Sequence, residues 1–121
     1  MTGLTIIVAS ADAARFRAAM TTALAQAALG GSVRLYCHEA SIALLARVPR
    51  DDDDGPGLSA VGLPDRPALI AMAQAAGITL IACQTGLALT GVTLEALAEG
   101  VEAGGMVSLL ATLGTDRLVS F

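Results

Sequence analysis

The sequence predicts an α/β fold: a three-layer α/β/α sandwich around a mostly parallel sheet of four or five strands, flavodoxin-like in its winding. Three observations point there. Short apolar runs rich in β-branched residues alternate with segments whose apolar residues recur at helical spacing. The run Ile78 to Cys83 is apolar throughout, as a central parallel strand covered on both faces requires. Glycines close the helical segments, with Gly30-Gly31 after the first and Gly77 after a later one. The 121 residues suit a single domain spanning 1–121, long enough to bury a real core.

The elements follow in order. Leu4 to Ala9 reads as a buried strand, with Ser10 and Asp12 as helix N-caps behind it. Phe16, Met20, Ala23, Leu24 and Ala27 mark the first helix. Val33 to Cys37 is the second strand, and Val33, Leu35 and Cys37 share one face of it. A short helix spans about Glu39 to Arg47. Arg50 to Pro67, with its Asp51-Asp52-Asp53-Asp54-Gly55-Pro56-Gly57 run, reads as an exposed loop. Leu69, Met72, Ala73 and Ala76 mark the next helix, and Ile78 to Cys83 the next strand. A helix then runs from just after Cys83 to about Thr90, and another follows with Thr93 as N-cap. Val101 to Ala103 is a short strand. Met106, Leu109, Leu110 and Leu113 fit a helix over Gly105 to Gly114, and Arg117 to Phe121 is the last strand. A doubly wound order of 2-1-3 is expected, with the first strand between the second and third.

Composition narrows the function classes. All seven basic residues are arginine, the net charge is −4, and aromatic residues are 2% of the chain. Nucleic-acid binding therefore has no electrostatic or stacking support. Pro67 to Leu94 is uncharged, but Gly77, Gly86 and Gly91 interrupt it and Gln74, Gln84, Thr85 and Thr90 dot it, so no membrane span is expected. The N-terminal apolar run is short and lacks basic residues, so it reads as a strand and not a leader, in keeping with a cytoplasmic protein. The absence of lysine and asparagine suits a GC-rich bacterial genome. Two cysteines are too few for a disulfide scaffold. Neither Gly-x-Gly-x-x-Gly nor a Walker A pattern occurs, and so few aromatics disfavour a stacked flavin, so no cofactor is expected. The aspartate run lacks the spacing of a calcium loop. A mean hydropathy of +0.69 exceeds what one small core can hide, which predicts a homo-oligomer.

In open α/β sheets reactive groups collect at the carboxyl ends of strands, which singles out Ser10, Cys37-His38-Glu39 and Cys83-Gln84-Thr85-Gly86. Cys83 ends a strand and opens a helix. There the backbone N–H groups of Gln84, Thr85 and Gly86 and the helix dipole would favour thiolate, and Gly86 would let a ligand approach. The competing reading is an inert core cysteine. Cys37, on the Val33 and Leu35 face, reads more simply as a small buried hydrophobe. His38 is an auxiliary acid/base candidate, set against the plainer reading of a solvated side chain. With strand order 2-1-3 the two cysteines would stand two strand spacings apart, roughly 9.5 Å. That exceeds the roughly 7 Å limit between bridged Cα atoms, so neither an intrachain disulfide nor a Cys/His metal site is expected.

Ile81-Ala82-Cys83-Gln84-Thr85-Gly86-Leu87, with Gly91 and Glu99-Gly100-Val101-Glu102, resembles the DsrE/DsrF-like family, which includes TusD-type sulfur-relay subunits and stand-alone peroxiredoxin-like members. The likeness runs end to end, through Ser41-Ile42-Ala43-Leu44-Leu45 to Thr115-Asp116-Arg117-Leu118-Val119-Ser120-Phe121. It implies that Cys83 matches the family's reactive cysteine, which carries sulfane sulfur as a persulfide between a donor and an acceptor protein. It also implies trimers or hexamers. The chain departs from the family pattern at Cys37-His38 and in the acidic segment after Arg50. Two other readings stay open: a non-catalytic assembly subunit, and a thiol redox protein, the latter weakened by the missing resolving cysteine.

Overall fold

The computed structural model describes residues 1–48 and 55–121, so the aspartate run at 51–54 lies outside the described residues. The chain forms β1 (Leu4–Val8), α1 (Ala13–Ala28) and β2 (Val33–Cys37), then a 3-10 helix (Glu39–Leu45), α2 (Gly55–Ala60) and α3 (Arg66–Ala75). β3 (Thr79–Cys83) and α4 (Gln84–Thr90) follow, then a 3-10 turn (Leu94–Ala96), β4 (Glu102–Gly104), α5 (Met106–Ala111) and β5 (Arg117–Ser120). The alternation of strands and helices is the one the sequence predicts. Glu39–Leu45 is tighter than the α-helix expected there, and the expected loop contains α2 and the start of α3. α3 begins early because the Asp65 carboxylate accepts from the Ala68 N–H at 2.9 Å with Pro67 in the first turn. Asp12 caps α1 in the same way, through the Arg15 N–H. Thr93 precedes only a single 3-10 turn and makes no side-chain capping bond.

The five strands form one parallel sheet of order β4-β3-β2-β1-β5. The expected 2-1-3 order is corrected here. β2 and β3 are direct neighbours, with Tyr36 opposite Ile81 and Cys37 opposite Ala82, while β1 lies between β2 and β5. The reason is the handedness of the crossovers. Right-handed connections through helices on one face always step across the sheet in the same direction. α1 and α3 pack against each other on one face, so β1, β2 and β3 are laid down in sequence. α5 lies on the opposite face, so its crossover steps the other way and returns β5 to the far side of β1.

Leu4, Ile6 and Val8 of β1, Val33, Leu35 and Cys37 of β2, and Leu80 and Ala82 of β3 alternate onto the α1/α3 face, all buried. Phe16, Ala19, Met20 and Ala23 of α1 and Leu69, Ile70 and Ala73 of α3 complete that core. The other face is more polar. There the Arg34 guanidinium donates to Thr5 Oγ1 at 3.0 Å, Thr112 Oγ1 at 2.7 Å and the Leu109 carbonyl at 3.1 Å. Thr5 in turn donates to Asp116 at 2.9 Å. This network ties α5 and the approach to β5 onto the sheet. Among the described residues no helix is long and apolar enough to cross a membrane.

Arg66 is 6% exposed and clamps the segment that leaves the tip of β2. Its guanidinium donates to the Leu44 carbonyl at 2.6 Å and to the Ala46 and Val48 carbonyls at 3.0 Å each. Removing such a donor strands the buried Leu44 carbonyl and breaks the two part-buried bonds to Ala46 and Val48. Arg66→Leu should therefore destabilise the fold by about 3 kcal/mol in chemical denaturation, given roughly 1–3 kcal/mol per stranded group. A loss below about 0.5 kcal/mol, the scale of a neutral surface change, would contradict the clamp.

Candidate functional site

Alternation along β3 puts Thr79, Ile81 and Cys83 on the α5 face of the sheet and Leu80 and Ala82 on the other. β2 lies alongside in register, so Tyr36 shares the face of Ile81 and Cys83, whereas Cys37 shares that of Ala82. The two cysteines therefore sit on adjacent strands but on opposite faces, and both are free. They are kept apart by the sheet itself and not, as the expected strand order implied, by an intervening strand.

The two thiols meet contrasting surroundings. Cys37 is fully buried, and burial pushes its thiol up to about 12 against a weaker pull from the Ser41 hydroxyl. Ser41 Oγ is already committed to the Val8 and His38 carbonyls at 2.9 and 2.8 Å. Cys37 thus lies in the apolar core, where burial opposes its thiolate. Cys83 is almost as covered, at 3% exposed, and burial again pushes its thiol up. Here the Tyr36 hydroxyl and the backbone N–H groups of Glu39, Gly86 and Thr85 act on the sulfur together, and they bring the thiol below its ordinary value. Cys83 closes no capping bond of full geometry as N-cap of α4. The phenol answers in kind: burial first, then its bond to Cys83, raise the Tyr36 hydroxyl, so it keeps its proton and stays a donor.

The Glu39 N–H reaches the sulfur through unusual backbone. Glu39 has φ +46°, the one non-glycine residue with positive φ among those described. Such a conformation costs roughly 1–3 kcal/mol and persists only where the surroundings impose it. Gly86 imposes part of it. A Cβ on Gly86 would stand 2.5 Å from the Glu39 carbonyl oxygen, so a larger residue would drive the two segments apart. This corrects the expected role of Gly86: it admits a neighbouring backbone, not a ligand.

The other expected site residues divide. Thr85 and Gly86 present N–H groups to the sulfur, whereas Gln84 is exposed and contributes none to it. His38 is on the Tyr36 face, its ring 6.4 Å from the Tyr36 ring between centroids. Its Nε2 is 3.4 Å from Glu39 Oε1. His38 Nδ1 and Ser10 Oγ are both covered and without a hydrogen-bond partner among the described residues. Tyr36 and the Glu39 amide went unrecognised in the sequence. Period-two counting does place Tyr36 and His38 on one face, but only the adjacency of β2 and β3 brings Tyr36 to Cys83. A cavity of about 200 Å³ lies on this face, lined by Arg34, Tyr36, Ile81, Gly104 and Leu109 among others. Tyr36 forms part of its wall and also reaches Cys83. Among the described residues no group of three or more His, Cys, Asp or Glu side chains could hold a metal ion.

No protein-family model matches the chain, and no curated protein matches it. Solved structures do. The ychN protein from E. coli superposes with a TM-score of 0.81 at 18% identity, covering 100% of both chains. MTH1491 from Methanobacterium thermoautotrophicum, a protein of unknown function, superposes with a TM-score of 0.71 at 17% identity, again over 100% of both. At these identities the likeness establishes a shared fold: this chain has the five-stranded parallel α/β architecture found in the ychN protein.

Proposed function

We propose that the chain is a DsrE/DsrF-like sulfur-relay protein that holds sulfane sulfur as a persulfide on Cys83 and hands it to an acceptor protein. The observation that favours this reading is the set of four donors on the Cys83 sulfur, which hold a covered thiol below its ordinary pKa. A merely structural cysteine has no use for them, as Cys37 illustrates. In loading, the Cys83 thiolate attacks the outer sulfur of a donor R–S–SH. The Cys83 S–S bond forms, the donor's S–S bond breaks, and RS⁻ leaves and takes up a proton. In discharge an acceptor thiolate attacks the outer sulfur, and Cys83 is the leaving group. The four donors stabilise its negative charge in both directions. No net oxidation occurs, so no resolving cysteine is needed.

A second reading, an assembly subunit whose cysteine does not turn over, draws on the low exposure of Cys83. Labelling separates the two. A glutathione persulfide donor should add one sulfur atom to the wild-type mass, and Cys37→Ser should behave likewise. Cys83→Ser should take up none. Equal labelling of wild type and Cys83→Ser would sink the carrier reading, and no labelling of either would favour the assembly subunit.

The pH profile follows from the same donors. The rate of Cys83 alkylation by iodoacetamide should rise with pH to a midpoint below that of a free thiol, because the thiolate is the reacting form. Tyr36→Phe removes a donor to the charged form, so the midpoint should move up by about one unit, the equivalent of one hydrogen bond. Gly86→Ala should raise it as well, by pushing the Glu39 amide away. Unmoved midpoints in both variants would show that these groups do not set the thiol's acidity.

Assembly belongs to the same proposal. Leu29, Leu89 and Val107 are 70%, 70% and 85% exposed, more apolar surface than a monomer usefully presents. The protein should run as a trimer or hexamer in light scattering at micromolar concentration. A monomeric mass would refute this.

A further inference from the structure

We propose that the cavity on the α5 face of the sheet binds a small free α-amino acid, its carboxylate at Arg34 and its ammonium at Glu102. The inference does not depend on what Cys83 does. The cavity measures about 200 Å³, room for roughly seven water molecules at about 30 Å³ each. That volume suits an amino acid with a short side chain and is too small for a dinucleotide or a flavin.

Sheet geometry sets the two charges at opposite ends. Arg34 on β2 pairs with Thr79 on β3, while Ile81 on β3 pairs with Glu102 on β4. Registered residues of a parallel sheet share a face, so all four stand on the α5 side, and all four line the cavity. β3 runs between the charged residues and separates their strands by roughly 9.5 Å at the backbone. Two long side chains can close that span onto a molecule lying over Thr79 and Ile81.

The polar groups of the wall have capacity to spare. Arg34 Nε donates to Thr5, Nη2 to Thr5 and the Leu109 carbonyl, and Nη1 to Thr112 alone. The second Nη1 proton thus has no acceptor among the described residues. It sits on the nitrogen that bonds Thr112, itself part of the cavity wall. Asp116 approaches the guanidinium from the Thr5 side, 3.8 Å from Nε, and does not line the cavity. Glu102 forms no ion pair among the described residues. The Thr79 and Ser108 hydroxyls, also in the wall, hydrogen-bond to no described residue.

The charges select for a zwitterion. A simple anion at Arg34 would face Glu102, and a simple cation at Glu102 would face Arg34. A free α-amino acid carries both charges on one carbon and satisfies both ends, whereas a peptide terminus offers only one.

Tyr36 makes the site readable. It forms part of the wall and is the single tyrosine of a chain without tryptophan, so intrinsic fluorescence reports from the cavity. Titration with L-serine or L-alanine should change that emission saturably, with matching affinities by calorimetry. Ethanolamine, which lacks the carboxylate, and 3-hydroxypropionate, which lacks the ammonium, should leave it unchanged at the same concentrations. Glu102→Gln should weaken amino-acid binding about tenfold, the worth of one charge-assisted hydrogen bond. Its side chain is exposed, so this variant should stay folded. Ser108→Leu, which fills the cavity from α5, should abolish binding. No saturable response to either amino acid, an equal response to ethanolamine or 3-hydroxypropionate, or full affinity in Glu102→Gln would each overturn the proposal. So would a folded Ser108→Leu variant that binds as wild type does.

Discussion

The carboxyl edge of the sheet depends on one backbone contact, the Glu39 carbonyl against Gly86. It needs a glycine in the first turn of α4, since a Cβ there would stand 2.5 Å from that oxygen. It also holds Glu39 in a left-handed conformation that non-glycine residues avoid. Each feature is unfavourable alone: glycine inside a helix costs about 1 kcal/mol, and the strained residue roughly 1–3 kcal/mol. Together they press the 3-10 helix after β2 onto α4 and turn the Glu39 amide toward the Cys83 sulfur. Arg66 secures the far end of that 3-10 helix through three carbonyls, so the strained end is braced from both sides.

The comparison between the two cysteines shows which force decides thiol chemistry here. Exposure does not separate them, at 0% for Cys37 and 3% for Cys83. Burial opposes thiolate at both. What differs is the supply of donors, one already engaged hydroxyl at Cys37 against a phenol and three amides at Cys83. A sheet makes such a contrast possible within a few ångströms because neighbouring side chains on a strand face opposite layers. The α1/α3 layer is apolar and closed. The α5 layer is polar, thinly covered and lined with hydroxyls, and that is where the acidic thiol lies.

That asymmetry has a structural counterpart in the Arg34 network. A parallel sheet is normally covered by apolar helices on both faces. Here α5 is only six residues long, and its attachment to the sheet relies on Arg34, Thr5, Thr112 and Asp116 as much as on apolar packing by Leu109. The polar anchoring leaves a cavity beside Tyr36 and keeps the reactive face shallow.

The sequence by itself determined the class of fold, most element boundaries and the candidate cysteine, because each is encoded locally. Apolar periodicity marks strands and helices, Asp12 caps its helix three residues away, and the end of a parallel strand followed by a helix marks a reactive tip wherever that strand lies. The Glu39–Leu45 segment was legible as a helical turn but not as 3-10, since the difference comes from docking on α4. Strand order was decided only in the tertiary structure, because it depends on which face α3 occupies, and α3 carries apolar residues that suit either face. With that order came the pairing of Tyr36 with Cys83, the separation of the cysteines by the sheet, and the strained Glu39 amide. These are contacts between residues far apart in the chain, and no local pattern of residue types specifies them.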